Sequence, residues 1–404
     1  MRFSLTVLVR TTCLCAWLAA PVAAQTSNFG PFPKDATERR APGWTFTPAL
    51  VLSTSWDDNV LLRGQGDSPQ SDITNVVNPR ATMSLNGRHT QIDASYDGAF
   101  LLYRQFNTLN SYDQRASLSA RRLVTPHVAL FVSDSLTLAP TTEAVELVGL
   151  PFVRTGSRID DARGGVEVTL SPRTSFTASY TFQWVRFDQR ADLAAQLLGG
   201  HSHGGAASWR HALTVRTALI ADYDLQRATV VQGADSFNVQ TGSVGIEQRL
   251  SDLVQVFGAV GLSRLGVNAF GPPRTGPAWR VGLLRQFRGA AGVDVTYSRS
   301  FVPSYGFGGT VQNEELVGRL RLPLARRVGS QASVSWRSNQ PLVSADPNLK
   351  SLWIEANVGY AIRPWLRLEG FYANARQTID RPGGRLDDNR VGLQIVTSNP
   401  LRVR

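Results

Sequence analysis

No stretch narrows the possible folds more than Ser171 to Phe187. A two-residue turn, Pro172-Arg173, opens it. Then Phe176, Ala178, Tyr180, Phe182 and Trp184 alternate with Ser175, Thr177, Ser179, Thr181 and Gln183. Side chains on a strand point to its two faces in turn, so one face is apolar and the other wet. A run of this length ending in an aromatic matches a tilted strand that crosses an outer membrane. The pattern recurs. Ile92, Ala94, Tyr96, Phe100 and Leu102 oppose Gln91, Asp93, Ser95 and Asp97. Val254, Val256, Val260 and Leu262 form another apolar set, as do Leu352, Ile354, Ala356, Val358 and Tyr360. An arginine on lipid at the midplane costs roughly 2–4 kcal/mol, so the charged phase faces inward. Asp134 stands between Val132 and Leu136, and there the register stays open.

Turns repeat with the strands. Eight tight ones fall at Gly87-Arg88-His89, Thr125-Pro126-His127, Pro172-Arg173, Arg210-His211, Ser251-Asp252, Arg288-Gly289, Ala325-Arg326-Arg327 and Arg363-Pro364. Longer polar loops such as 140–158, 188–201 and 339–348 lie between them. Short turns at one rim and long loops at the other are the signature of an outer-membrane barrel. The expected fold is therefore all-β: a transmembrane, antiparallel up-and-down barrel of about 18 strands, from 44–56 to 387–398. An even count puts both termini on the short-turn, periplasmic side. Aromatics fall into two girdles: Trp44, Trp209, Tyr360 and Trp365 at the short turns, and Tyr103, Trp184, Tyr223, Trp279 and Trp336 at the long loops.

Residues 1–24 have the form of a secretory signal. Arg2 and Arg10 precede an apolar run, and Val22-Ala23-Ala24 supplies small residues for cleavage. A polar, proline-bearing tether over 25–43 leads to the barrel at 44–404. Both cysteines, Cys13 and Cys15, leave with the signal, which excludes disulfides and cysteine metal sites from the rest. Losing Arg2 and Arg10 takes the formal charge from +11 to +9; Lys34 and Lys350 are the only lysines. An arginine-rich lumen suits anionic solutes, and GC-rich codon usage produces the same bias. No basic run is interleaved with stacking aromatics, which argues against nucleic acid as a partner.

Chemistry-bearing clusters are few. His201-Ser-His203, among glycines, reads as a flexible loop; a metal there would lack a third ligand. The pairs Asp160-Asp161, Glu314-Glu315 and Asp387-Asp388 read as solvated strand ends. No serine, histidine or acid spacing marks a catalytic set, so no enzyme, cofactor or metal is expected. The inward-facing charges carry more. Arg216, Asp222 and Asp224 share one strand face; Glu247, Arg249, Arg319, Arg321, Arg337 and Glu355 occupy others. Across a water-filled channel they would disfavour apolar solutes, or they pair and merely hydrate the wall.

The segment Ser55-Trp56-Asp57-Asp58-Asn59-Val60, followed by Ser71, Asp72, Thr74 and Pro79, resembles the start of an outer-membrane barrel family. That family accompanies exopolysaccharide and exosortase (PEP-CTERM) systems; the likeness is most specific over about residues 44–105. It implies a barrel that exports a polysaccharide or assists its export, with an acidic polysaccharide, periplasmic export proteins and outer-membrane lipid as partners. The basic tail after Val391–Thr397 departs from the terminal aromatic usual in such barrels. By themselves, Asp57-Asp58-Asn59 suit a turn cap or a cation site. The leading expectation is an export pore, the alternative a general or solute-specific uptake porin, and the third a hydrolase at the rim.

Overall fold

Alternating sequence with no long apolar run leaves the backbone groups of each strand to find partners in neighbouring strands, and in hydrocarbon only a closed sheet satisfies them all. The computed structural model describes residues 43–403 apart from 65–66, 146, 189–196, 231–235, 267–271, 288–290, 307–308, 343–346 and 381–383. The expected signal and tether lie outside these residues, except that Gly43 already belongs to the first strand.

The strands are β1 (Gly43–Asp57), β2 (Asp72–Asn86), β3 (Thr90–Tyr103), β4 (Ser111–Thr125), β5 (Val128–Ala139) and β6 (Ser157–Ser171). Then come β7 (Thr174–Phe187), β8 (Gly200–Ala212), β9 (Thr217–Val230), β10 (Ser236–Ser251), β11 (Val254–Leu265) and β12 (Arg274–Gln286). The last are β13 (Gly292–Pro303), β14 (Thr310–Ala325), β15 (Val328–Pro341), β16 (Leu349–Arg363), β17 (Leu366–Ile379) and β18 (Arg385–Ser398). Each pairs antiparallel with its neighbours, and β1 pairs with both β2 and β18, which closes the barrel at 18 strands. A short β19 (Leu401–Val403) continues the ladder of β18 along β1 after a break at Asn399-Pro400.

The two faces sort as the alternation demands. On β11 the outward Val260 and Leu262 are 65% and 61% exposed, whereas the inward Ala259 and Ser263 are buried. Leu50, Leu118, Leu130, Val244, Ile354 and Leu393 continue the apolar outer band round the wall. Such a band suits hydrocarbon and makes this a transmembrane barrel. Val260→Arg should therefore cost roughly 2–4 kcal/mol of stability. Denaturant titration of the protein refolded into vesicles measures that loss, and an undiminished midpoint would place Val260 outside the membrane.

Several expectations need correction. The turn assigned to Arg210-His211 lies at residues 213–216, where Thr214 Oγ1 accepts the amides of Arg216 and Thr217. Arg216 is thus in the turn rather than on β9. His201 and His203 stand on β8, not in a loop. Each acidic doublet lies inside a strand, so its members point to opposite faces. Tyr103 is no girdle residue: it is 8% exposed and faces inward, under the guanidinium of Arg154. Asp134 is fixed on the outward face, level with Leu118 and Ala162.

Candidate functional site: a loop latched across the lumen

Beyond β5 the chain leaves the wall. Residues 140–145 and 147–156 include a 3-10 turn (Glu143–Val145) and cross the lumen before β6. Proline at 140 and 151 and glycine at 149 and 156 break the alternation, so this segment has no strand to join. It holds its own shape through Thr142, whose hydroxyl donates to Pro151 O (2.6 Å) and accepts the amide of Val153 (2.7 Å).

The far wall then grips it. Gln377 on β17 accepts the amide of Phe152 at 2.8 Å and donates to Leu150 O at 3.0 Å, satisfying two backbone groups that no strand partner reaches. The Phe152 ring lies 5.1 Å from Trp353 of β16, in a cluster with Leu62, Ala375 and Leu386. Arg390 of β18 is the ionic hold: its guanidinium pairs with Glu143 of the loop, with Asp388 (2.5 Å) and with Asp57 (3.2 Å). Arg154 donates to Val60 O and to the Tyr103 hydroxyl (3.1 Å). Between β5 and β17 on this side of the wall stand β18, β1, β2, β3 and β4, so these contacts span the bore.

A second bridge lies against the first. Leu198, between β7 and β8, exchanges backbone hydrogen bonds of 2.6 and 3.0 Å with Gly306, between β13 and β14. Tyr305 packs with Leu150, Ile159, Val185, Phe187 and Leu197. Burial pushes its phenol above the ordinary value, so it stays a neutral donor. Gly149 and Gly306 have φ of +71° and +92°. At Gly149 a Cβ would meet Ser304 Oγ at 1.9 Å, so both conformation and close approach require glycine.

The Asp57–Pro79 segment proves to be a seam. Asp58 accepts the backbone and side-chain N–H of Asn389, both at 2.7 Å, joining β1 to β18. Asn59 ties Arg63 and Asp387, while Asp72 accepts the amides of Ile73, Gln105 and Phe106. Carboxylate oxygens of Asp57, Asp58 and Asp388 lie within 4.8 Å of one another, the one such grouping among the described residues. Asn389 and Arg390 already engage Asp58 and Asp388, which favours the turn-cap role over a cation site.

Below the loop the inner wall is charged. Asp222 pairs with Arg280 (3.4 Å), Glu247 with Arg210 (2.9 Å) and Arg337 with Glu315 (2.6 Å). Glu355 hydrogen-bonds to Ser333, and Asp224 is exposed to the lumen. Arg319 and Arg321 also face inward, Arg319 in register with Asp294, and both are exposed. At the short-turn mouth Arg216 and Arg249 line a cleft with Arg210 and Glu247. Among the described residues Arg216, Arg249, Arg319 and Arg321 make no ion pair, and these four lie toward the short-turn end.

Gln377, Trp353 and Arg390 went unmarked by sequence reasoning, and Asp388 was read only as a solvated strand end. One signal was available: Trp353 is an aromatic in the wet phase Ser351, Trp353, Glu355, Asn357, where a side chain facing only water has no reason to be indole.

No family model matches the sequence, and no curated protein does. Solved structures with similar folds include the outer membrane protein OpdK of Pseudomonas aeruginosa, 12% identical over 88% of this chain and 99% of that one, with a TM-score of 0.43. OccK2 (OpdF) of the same organism, in complex with glucuronate, is 12% identical over 89% and 98%, TM-score 0.46. Its siderophore receptor PirA is 10% identical over 90% and 81%, TM-score 0.42. With TM-scores below 0.5, none of them says what this barrel carries.

Proposed function

We propose that the chain is an outer-membrane channel for uptake of small hydrophilic solutes, preferring anions, with its short turns in the periplasm. The observation that carries this is the loop 140–156, held across the bore by Gln377 and Arg390. A barrel of this strand number is wide enough for an aqueous channel, and a loop fixed within it converts a wide bore into a sieve. The uncompensated Arg249, Arg319 and Arg321 favour anions leaving toward the periplasm. Polysaccharide export, which the Asp58–Pro79 resemblance implies, would need the loop to leave the bore, so we place uptake first.

Planar-bilayer recording of the purified full chain tests this. A small, steady conductance with anions more permeant than cations is expected. Loss of surface polymer on deletion of the gene, with growth on small anions unchanged, would favour export instead.

A further inference from the structure

Some charges on the outer face are settled within the chain: Arg299 pairs with Glu314 (3.3 Å) and Arg376 with Asp387, while among the described residues Arg122, Arg264 and Lys350 stand singly toward the strand ends. The face of β5 to β9 differs. Asp134 is exposed on β5, with Leu130 and Val132 on one side along the strand and Leu136 and Leu138 on the other. Asp160 on β6 stands diagonally across from it on the same outer face, so the polar neighbour of one acid is another acid. Arg158 stands beside Asp160 along the same face of β6 but pairs with Asp188 (3.9 Å), and among the described residues no cation pairs with either carboxyl.

Beyond β7 the outer face carries two imidazoles and a guanidinium instead. His201 and His203 stand on the outer face of β8, opposite Trp184 and Phe182, with Tyr180 Oη 2.5 Å from His203 Nδ1. Arg227 follows on β9, in register with His203, exposed and, among the described residues, bonded only to Ser236 Oγ at 3.1 Å. Between the two halves Ala162, Gly164, Ala178, Gly205 and Ala207 are small, and Phe176, Tyr180, Phe182 and Trp184 of β7 stand out among them.

Ionisable groups facing hydrocarbon are costly, and those present usually have a partner. A rotation axis parallel to the barrel axis and passing beside β7 brings the acidic half of one copy against the basic half of another. Such a self-complementary patch is what an isologous contact requires. Five strands at ~4.8 Å spacing and ~25 Å of membrane height give roughly 600 Å² per copy, and the two together clear the ~1,000 Å² of a specific interface.

We propose that the outer face of β5 to β9 is the contact between two copies of this chain lying side by side in the membrane. The proposal does not depend on what the channel carries.

The chain without its first 24 residues contains no cysteine, so single cysteines report cleanly. Ala178→Cys on β7 should give a disulfide-linked dimer on mild oxidation in native membranes, and Val260→Cys on β11 should not. Adding Arg227→Glu to Ala178→Cys should lower the dimer yield about tenfold, the loss of about 1.4 kcal/mol of contact, in protein whose folding is checked by heat-modified migration. A monomer from Ala178→Cys, equal yields at both positions, or a yield insensitive to Arg227→Glu in folded protein would each overturn the proposal.

Discussion

Replacing residues 141–155 with a short glycine-serine linker is expected to raise single-channel conductance by roughly three- to tenfold, because the bore of an 18-strand barrel is wide without its inward loop. The wall should survive, since every strand keeps both neighbours. A gentler variant isolates the latch. Gln377→Leu removes both hydrogen bonds to the loop backbone and leaves the Phe152 amide and Leu150 carbonyl buried without partners. At about 1–3 kcal/mol for each unmet group, the latched state should lose roughly 2–6 kcal/mol. Since about 1.4 kcal/mol shifts a two-state population tenfold, a steady channel should become a flickering one with a second, larger level. Recording the variant at constant voltage decides it. An unchanged amplitude histogram for both variants would mean that the loop does not limit flow.

The wall was legible because hydrocarbon and water impose one rule on every strand. Alternation and turn spacing located all eighteen strands, with ends shifted by a few residues. The rule failed where a residue answers to something other than those two solvents. Asp134 sits in the outward phase although it is charged, and Tyr103 and Trp353 sit in the inward phase although they are aromatic. Tyr103 and Trp353 face a loop, a partner that no local period announces. The shift of the β8–β9 turn has a local cause: Leu213 and Val215 extended the apolar rhythm into a turn that Thr214 caps. The latch was not legible at all. Glu143 and Arg390, or Phe152 and Gln377, lie more than two hundred residues apart, and only closure of the barrel brings them together.

Arg319→Glu with Arg321→Glu is expected to turn anion preference into cation preference. Both side chains face the lumen, both are exposed, and neither is held by an acid, so their field reaches passing ions rather than ending on the wall. Asp294 lies in register with Arg319 without pairing with it, and leaves Arg321 unopposed. One unit charge about 6 Å from an ion in water contributes roughly 0.7 kcal/mol, or about threefold in local concentration. Reversing two sites moves the balance by four charges. Screening over about 10 Å at 0.1 M salt trims this, so the permeability ratio should change by roughly tenfold or more. At 1 M salt, where the screening length is about 3 Å, most of the difference should vanish. That salt dependence separates a field effect from altered pore width, which would persist at any ionic strength. Reversal potentials across a salt gradient supply the ratio, and an anion preference unchanged in the double variant would take these arginines out of solute selection.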